Sequence, residues 1–597
     1  MKFPYGICDF YKIMTENYFY VDRTSRIRLI EEIGPQLLFL RPRRFGKSLL
    51  LSMLENYYDV ARADEFETLF GHLAIGQNPT PRHNQYFVLK WDFSGIDSWG
   101  DVSQIRQALH NHINGCIEQF AVYYRDLLNY DLELNPTDAL RSLQSVLAAV
   151  QQTPYQLYLL IDEYDNFANE VMMASQPTDR ERYESLLYGE GLLKTIFKAV
   201  KAASAGRGLD RVFITGVSPV VLSDITSGYN VAENIYFKPQ FNDLCGFWES
   251  EIQSALKEMV KECNLPVEQA AQALSMMRTF YNGYAFSPGK VDFVYNPTLA
   301  LYFMKNFQEI CQSPEEILDS NLTMDREKLA YISKLPGGGQ LILDALNEDQ
   351  PLTVQRLANR FSLADMLAAT KDRSFMASLL YYFGILTFGG RTVFGELILK
   401  IPNLVVRELY VACLQDMLLP DAQDKDEGRQ AARTLYQTGD LQPLCDFVEQ
   451  RYFKAFDNRD YLWANELTIK TAFLTLLFND LFYIIDSETA LERSYADLTL
   501  ILRPEMRRYQ LLDLLLEFKY VSLAEAGLTG DEAQTLRREQ IKDLAPVQQK
   551  LQAAQTKLRS YRQILQAHYG EPLRLRSYAV VSLGFERLVW AEASEMV

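Results

Sequence analysis

The hydrophobic pattern in the first half of the chain predicts a series of buried strands. Apolar runs at residues 36–40, 86–93, 157–161 and 211–216 are nearly continuous, as in parallel strands that are covered on both faces. Polar residues follow the first run, and residues 49–58 then show helical periodicity. This alternation of strands and helices predicts an α/β domain built on a parallel sheet.

The loop after the first predicted strand has the residues of a phosphate-binding loop. In such a loop glycine lets backbone N–H groups close around phosphates, lysine reaches the β- and γ-phosphates, and the next hydroxyl ligates Mg²⁺. We expect Arg43 and Arg44 either to contact phosphate or to face solvent, with one of the two functional. The usual first glycine is replaced by arginine, so the loop alone is a weak signal. It reads Arg41-Pro42-Arg43-Arg44-Phe45-Gly46-Lys47-Ser48, and Gly46, Lys47 and Ser48 are the predicted nucleotide ligands.

Two further strands end in polar residues that suit nucleotide chemistry. The apolar run 157–161 leads into Asp162 and Glu163, at the sheet edge where nucleotides bind in open α/β folds. We assign Asp162 to the Mg²⁺ shell and Glu163 to activation of the attacking water. Thr215, with Ser218 close behind, ends the next apolar strand as a sensor of the γ-phosphate. This strand order is typical of P-loop ATPases with an additional catalytic strand, which include the AAA group.

The middle of the chain, from about residue 245 to 410, reads as helices and aromatic motifs with a structural role. A helix at 375–383, a turn at Gly389-Gly390 and a strand at 392–401 predict a winged-helix lid. We expect the wing to pack against the ATPase core and not to read DNA. The polar stretch at 421–428 interrupts the hydrophobic pattern and predicts a linker.

The last part of the chain combines acidic residues with a lysine on predicted strands. Strands are expected at residues 482–486, 495–502 and 510–520, after a helix at 464–478 and before a long helix at 533–568 and a strand at 576–582. Side chains alternate faces along a strand, so Glu517 and Lys519 point the same way.

These residues form the set needed for metal-dependent phosphodiester hydrolysis. Hard oxygen ligands hold Mg²⁺, and a cation lies near the attacking water or the scissile phosphate. Asp497 and Glu517 are the predicted metal ligands, Lys519 is the catalytic cation, and Glu466 on the helix completes the site. Asp513 is a competing ligand. A surface ion pair would be the default explanation of Glu517 and Lys519 taken alone.

Several motifs together resemble one family: the predicted AAA-ATPase-like proteins of bacteria and archaea with a C-terminal PD-(D/E)XK nuclease-like domain. The resemblance spans nearly the whole chain, and it makes the missing first glycine a family trait. It implies a P-loop ATPase with a helical and winged-helix lid, followed by a nuclease-like α/β domain. Within the first motif, Asp22 and Arg23 lie either near the base or the phosphate loop, or in a structural ion pair, and we favour the ion pair. The motifs, besides the phosphate loop, are Tyr20-Val21-Asp22-Arg23-Thr24, Leu160-Ile161-Asp162-Glu163-Tyr164-Asp165, Ile214-Thr215-Gly216-Val217-Ser218-Pro219 and Gln555-Thr556-Lys557-Leu558-Arg559-Ser560-Tyr561.

The net charge restricts the expected binding partners, and the cysteine spacing bears on the expected cellular compartment. The 597 residues carry a net charge of −17, which argues against coating of nucleic acid or an anionic membrane by the whole surface. Residues 461–597 are nearly balanced, with 16 basic and 18 acidic side chains. The seven cysteines lack CxxC spacing, so we expect neither a zinc cluster nor a disulfide framework, and a reducing, cytoplasmic location. Apolar runs are too short to span a bilayer.

These observations combine into one functional hypothesis. We predict an ATPase domain at 1–245, a lid at 246–420, a helical linker at 421–460 and a nuclease-like domain at 461–597. The expected cofactors are ATP and Mg²⁺. The last domain is expected to bind nucleic acid, with DNA favoured. Homo-oligomers are compatible with the sequence. Genome defence or a mobile element is the working hypothesis for its role. The alternative is a nucleotide-switched binding or oligomerising protein whose nuclease-fold module is silent.

Overall fold

The computed structural model divides the chain into two compact units. Unit 1 comprises Met1–Gln312, Lys334–Gly338 and Thr353–Pro402, and unit 2 comprises Ser313–Ser333, Gly339–Leu352 and Asn403–Val597. The predicted ATPase and lid residues up to 402 therefore share one unit. The structure describes residues 1–96, 101–128, 130–166, 192–219, 231–289, 292–317, 323–347, 350–358, 361, 372–454, 466–486, 497–569 and 573–593.

The centre of unit 1 is a parallel sheet, as the apolar runs predicted. Its strands run in the order β2-β3-β4-β1-β5, and every neighbouring pair is parallel. The polar ends of β3 and β4 therefore lie at the same edge as the loop that follows β1. The strands are β1 (Gln36–Leu40), β2 (Tyr86–Asp92), β3 (Gln156–Asp162), β4 (Leu209–Gly216) and β5 (Glu233–Asn234).

Helices cover this sheet and form much of the region after residue 245 that we predicted to be a lid. Helix Lys47–Tyr58, called here the phosphate-loop helix, starts at Gly46 and buries Leu50, Leu51 and Leu54 beneath the sheet. The other described helices of this unit are Phe10–Thr15, Arg26–Ile33, Val60–Glu65, Phe66–Phe70, Phe93–Gly95, Val102–Tyr123, Ala139–Val150, Leu192–Ala203, Pro239–Phe241, Glu249–Glu262, Glu268–Tyr281, Pro297–Ile310 and Arg373–Tyr382.

The wing has the predicted helix and hairpin, but its turn lies elsewhere. Strands β7 (Thr387–Arg391) and β8 (Leu397–Lys400) pair antiparallel, and β6 (Leu352–Val354) joins β8. The glycine pair at 389–390 lies inside β7, where the register shifts between Phe388 and Gly390. The chain instead turns at 392–396, because Thr392 N–H donates to Glu396 O at 2.9 Å and Gly395 adopts a positive φ of 82°.

One cysteine pair corrects the expectation that no disulfide would form. Cys263 and Cys311 are bonded, with their Cα atoms 5.6 Å apart. Each follows the last residue of a helix, Glu249–Glu262 and Pro297–Ile310, which end side by side. Because the two residues are 48 positions apart, their spacing carried no sign of the bond. The cysteine argument for a reducing compartment therefore no longer holds.

Unit 2 is built on a mixed sheet with the order β13-β12-β11-β10-β9. Pairs β9/β10, β10/β11 and β12/β13 are antiparallel, whereas β11 and β12 are parallel. The helix that connects β11 to β12, Ala545–Tyr569, packs on both of these strands. The strands are β9 (Tyr483–Asp486), β10 (Leu498–Leu502), β11 (Asp513–Val521), β12 (Leu575–Leu583) and β13 (Arg587–Glu592). Residues 495–496 of the predicted second strand lie outside the described residues.

The predicted linker is part of the core of unit 2. Residues 421–428 form the start of helix Ala422–Thr438, and a Cβ built on Gly428 would lie 2.8 Å from a methyl carbon of Leu476. The exposed face of this helix is rich in charge, which explains why its sequence looked like a linker. The remaining helices of the unit are Thr323–Ser333, Gly338–Leu346, Leu404–Leu418, Gln442–Phe447, Val448–Tyr452, Glu466–Leu477, Pro504–Tyr509, Leu523–Ala526, Gly530–Thr535 and Arg538–Lys542.

Two buried charges tie distant segments of unit 2 together. Arg503 is fully buried, and its guanidinium donates to Pro314 O at 2.7 Å and Glu315 O at 2.8 Å. Asp513, at the start of β11, is also fully buried and accepts two hydrogen bonds from Arg507, at 2.8 and 2.9 Å.

Within the described ranges, every helix is too short or too polar to cross a lipid bilayer.

Removal of the Asp513 carboxylate should loosen the sheet of unit 2. The change Asp513→Ala leaves the Arg507 guanidinium without its buried counter-ion, which costs about 3–5 kcal/mol in comparable cases. Amide hydrogen exchange of the full-length protein, measured by mass spectrometry, should be faster in β10 and β11. The exchange rate in β1 should stay unchanged. Asp543→Ala, at an exposed position of the same unit, is the control. Unchanged protection of β11 in Asp513→Ala would contradict this role.

Candidate functional site

Three predicted nucleotide residues meet at the carboxyl ends of β3 and β4. Asp162 Oδ2 accepts a hydrogen bond from Ser48 Oγ at 2.6 Å, and Oδ1 accepts from Thr215 Oγ1. Asp162 and Thr215 are buried, and Ser48 stands in the first turn of the phosphate-loop helix. The parallel register brings these residues together, as the positions of Asp162, Ser48 and Thr215 in the sequence predicted.

The phosphate loop has the backbone shape of an anion-binding loop. Gly46 and Arg44 both adopt the left-handed conformation, with φ values of 82° and 67°, and such turns direct successive N–H groups into one concavity. Lys47 is buried, and its ammonium donates to Pro42 O at 3.1 Å across the loop. The helix N-terminus beside it adds positive potential.

Arg41, in place of the usual first glycine, turns into the protein and not toward the phosphate position. It is buried and donates to the carbonyl oxygens of Leu40, Tyr236 and Phe241 at 2.8, 3.0 and 2.6 Å. Its guanidinium lies 4.0 Å from the ring centre of Phe286. Burial lowers the pKa of the Arg41 guanidinium to about 10, so it stays charged at neutral pH.

The two other loop arginines differ in their surroundings. Arg43 donates to Asn166 Oδ1 at 2.8 Å, just beyond the end of β3. The carbonyl oxygen of Arg44 accepts a hydrogen bond from Thr298 Oγ1 at 2.8 Å, which ties the strained loop to a lid helix. Asn166 was missed from the sequence, because no local pattern marks an amide that reaches the loop from another strand.

Glu163 follows Asp162 with a positive φ of 50°, a conformation that costs energy outside glycine and clusters at functional sites. Burial raises the pKa of its carboxyl group, and the nearby Asp165 and Asp162 act in the same direction, whereas Lys47 opposes them. A carboxyl group with a raised pKa near a phosphate loop is suited to accept a proton from water.

Ser218 does not face the same partner as Thr215. Its hydroxyl donates to Asp165 Oδ2 at 2.9 Å, and its N–H donates to the same oxygen at 2.7 Å. Gly216 allows this approach, since a Cβ there would lie 2.5 Å from Asp165 Oδ1. Ser218 thus holds the turn after β3, whereas Thr215 contacts Asp162. The sensor role of both residues stays a prediction.

Asp22 and Arg23 lie in separate structural networks and not in one pair. Asp22 accepts from Thr24 N–H at 2.8 Å and from Ala74 N–H at 2.7 Å. Arg23 forms an ion pair with Glu251 at 2.7 Å. These contacts fix the chain before the phosphate loop, in agreement with a structural role.

The second predicted cluster is also assembled, at the centre of the unit 2 sheet. The ammonium of Lys519 lies 2.7 Å from Glu466 Oε1, 3.0 Å from Glu517 Oε1 and 3.9 Å from Asp497 Oδ2. Asp497 immediately precedes β10, and Glu517 and Lys519 share one face of β11. Asp497 Oδ2 also accepts from Phe518 N–H at 2.7 Å, which holds the carboxylate against β11.

A fifth charged residue, Lys557, joins this cluster from helix Ala545–Tyr569. Its ammonium donates to Glu517 Oε1 at 2.8 Å, so this one oxygen receives two lysines. The other oxygen, Glu517 Oε2, is buried without a hydrogen-bond partner among the described residues. The sequence showed only that Lys557 adds positive charge to the last helix.

The cluster shifts the acidity of its members. Burial, and then the charge of Glu517, raises the pKa of Asp497 to about 6. Burial alone would lower the pKa of Lys519, but Glu517, Asp497 and Glu466 outweigh burial and raise it. Asp513, the competing ligand, lies outside this cluster: its two carboxylate oxygens are occupied by Arg507 and by the N–H groups of Leu502 and Arg574.

Both sites offer few protein ligands to a metal. Within the part of the chain that the structure describes, no group of three or more His, Cys, Asp or Glu side chains is arranged to hold an ion. Mg²⁺ usually takes one or two carboxylates and completes its shell with water and phosphate oxygens. The paired oxygens of Ser48 and Asp162 fit that demand. Oε2 of Glu517, which has no hydrogen-bond partner among the described residues, and the nearby Asp497 also fit it.

Comparison with known proteins shows which family part of the first unit resembles. Residues 4–226 match the AAA-ATPase-like family, described as a predicted AAA-ATPase. The matched range contains the phosphate loop and the ends of β3 and β4, and the family implies nucleotide binding, typically with Mg²⁺.

More distant likenesses extend over most of the chain. A protein of Azotobacter chroococcum mcd 1, described as an uncharacterized protein in the vnfD 5′ region, is 24% identical over 550 residues, which are 88% of this chain and 90% of that protein. A Walker-type ATPase of Pyrococcus abyssi covers 66% of this chain and 96% of its own, with 14% identity and a TM-score of 0.36. The ORC1 protein of Aeropyrum pernix, solved in complex with DNA, covers 67% and 96%, with 11% identity and a TM-score of 0.24. Likenesses this low carry no functional argument.

Lys47 should be required for nucleotide binding. The change Lys47→Ala removes one charge-assisted hydrogen bond, worth about 1.5–3 kcal/mol, and should weaken ATP binding by about 10- to 100-fold. Titration of a fluorescent ATP analogue in the presence of Mg²⁺ measures the affinity. Lys12→Ala, at an exposed lysine of unit 1, should bind as the unchanged protein does. Equal affinity in Lys47→Ala would remove this loop from the nucleotide site.

Proposed function

We propose that this protein binds and hydrolyses ATP in its AAA-ATPase-like domain and thereby regulates a metal-dependent nuclease site in unit 2. The observation that supports the second activity is the convergence of Glu466, Asp497 and Glu517 on the ammonium of Lys519. A purely structural ion pair needs one carboxylate for one lysine. Asp497 and Glu517 offer the one or two carboxylates that Mg²⁺ usually takes from a protein, and Glu517 Oε2 is buried without a hydrogen-bond partner among the described residues.

In the ATPase step, each residue has a role that follows from its position. Lys47 would bind the β- and γ-phosphates, Ser48 and Asp162 would hold Mg²⁺, and Thr215 orients Asp162 through its hydroxyl. Glu163 accepts a proton from the attacking water. Bound Mg²⁺ would neutralise charge on the phosphate oxygens.

In the nuclease step, Asp497 and Glu517 would hold a divalent cation, which would supply acidification of a water molecule and stabilisation of charge on the phosphate. Lys519 stays protonated beside them and contacts the scissile phosphate or the water. Glu466 accepts a hydrogen bond from Lys519 at 2.7 Å and orients its ammonium. The substrate of such a site would be a nucleic acid, because its backbone is a phosphodiester, and DNA is the class that we favour.

A second candidate function is favoured by one observation. Two ammonium groups already neutralise Glu517, as in a module that has lost its metal and binds without cutting. The protein would then be a nucleotide-switched binding or oligomerising protein.

The ATPase proposal is tested by Glu163→Gln. Removal of the base should lower the rate of phosphate release by about 10²- to 10⁴-fold, with ATP affinity within a few-fold of the unchanged protein. Glu32→Gln, at an exposed position of unit 1, is the matched control and should hydrolyse ATP normally. A rate in Glu163→Gln equal to that of the control would remove Glu163 from the mechanism.

The nuclease proposal is tested by Glu517→Gln and Lys519→Met in the full-length protein. Cleavage of supercoiled plasmid and of single-stranded DNA and RNA is followed with Mg²⁺ or Mn²⁺, with and without ATP. Both variants should lose cleavage and keep ATP binding, whereas Glu539→Gln, exposed on the same unit, should retain both. Cleavage that survives in Glu517→Gln contradicts the proposal, and an unchanged protein that binds Mn²⁺ without cutting any substrate supports the silent module.

A further inference from the structure

Glu517 is the most enclosed acid of the unit 2 cluster, and its charge is balanced from two sides. Its side chain has 0% of its surface exposed, and Oε1 lies 3.0 Å from the ammonium of Lys519 and 2.8 Å from that of Lys557. A buried carboxylate without a counter-ion would be strongly destabilising. The two lysines therefore do the electrostatic work that a divalent cation would do.

The two lysines are not equivalent. Lys519 has 11% of its side chain exposed, lies on β11, and also bonds to Glu466 Oε1 and Phe518 O at 2.7 and 2.6 Å. Lys557 has 51% of its side chain exposed, and its ammonium donates a hydrogen bond to Glu517 Oε1. Its long flexible stem can carry the ammonium into solvent without opening the fold, whereas movement of Lys519 would break several buried contacts.

We propose that Lys557 is an exchangeable internal cation: it neutralises Glu517 in the metal-free protein and leaves this carboxylate when a divalent ion binds. This inference rests on the metal site of the proposed function and adds a mode of regulation to it. A divalent ion at Glu517 Oε2 brings two positive charges next to the Lys557 ammonium, which then has a more favourable place in water. Release of Lys557 also makes its charge available to an anionic backbone at the same site.

The proposal has a consequence for affinity. Because Lys557 competes with the ion, its removal should strengthen metal binding and not weaken it. A residue that merely stabilises the fold, or one that serves as part of the metal shell, would have the opposite effect when replaced.

Calorimetric titration of the full-length protein with Mn²⁺ at neutral pH tests this consequence. Lys557→Met should bind Mn²⁺ about 10-fold more tightly, equivalent to about 1.4 kcal/mol, and Lys557→Arg, which keeps the charge, should stay close to the unchanged protein. Lys550→Met is the matched control, because residue 550 lies two turns earlier on the same face of helix Ala545–Tyr569. Equal or weaker binding by Lys557→Met overturns the proposal.

A second measurement needs no variant. Brief acetylation with an amine-reactive ester, followed by mass spectrometry, reports how free each lysine is. Saturating Mn²⁺ should raise the modification rate of Lys557 several-fold and leave that of Lys550 unchanged. If Mn²⁺ binds with no change at Lys557, the exchange is wrong and the metal site stands. If Mn²⁺ does not bind to the unchanged protein or to Lys557→Met, both the exchange and the proposed metal site are wrong.

Discussion

The buried guanidinium of Arg41 is the interaction on which the nucleotide side of this protein depends. A charge enclosed between Phe39 and Phe286 needs hydrogen bonds. Three carbonyl oxygens accept them from its two terminal nitrogens, whereas its Nε is buried without a partner among the described residues. Two of these belong to residues 236 and 241, far along the chain. The start of the phosphate loop is thereby fixed to the segment that follows β5, so the loop needs no glycine at that position.

The lid reinforces the same loop from its outer side. Phe45 packs edge-on against Tyr284 and Phe286, with ring centres 4.9 and 5.1 Å apart. Gly384, at the start of the wing, approaches Pro42 so closely that a Cβ would lie 2.8 Å from it. Contacts from the lid thus hold the loop at two positions. A change in loop conformation would therefore alter the packing of these aromatic residues directly.

Much of this arrangement was predictable from the sequence, for a physical reason. The apolar runs of β1, β3, β4 and β11 are long enough to define strands, and strand geometry then aligns the residues at their ends. Asp162, Thr215, Glu517 and Lys519 were found in this way. The hydroxyl of Ser218 donates to Asp165 across the turn after the strand, and its role as a sensor of the γ-phosphate stays a prediction.

The features that were missed depend on contacts between distant segments. The Cys263–Cys311 bond, the reach of Lys557 to Glu517, and the amide of Asn166 all join elements with no local signature. The wing turn was misplaced because two glycines in a row signal a turn, although here they form an irregularity within a strand. The helix at 422–438 was mistaken for a linker because its exposed charges obscure a narrow apolar face.

The alternation of the chain between the two units affects how the protein can be made. Segments Ser313–Ser333 and Gly339–Leu352 belong to unit 2, although unit 1 continues to Pro402. During synthesis on the ribosome, these segments are made before Arg503, whose guanidinium donates to the carbonyl groups of Pro314 and Glu315. A gene fragment that starts at residue 403 would encode that arginine without the carbonyl groups that receive it. A single cut at residue 403 therefore separates the sheet of unit 2 from segments that belong to the same unit.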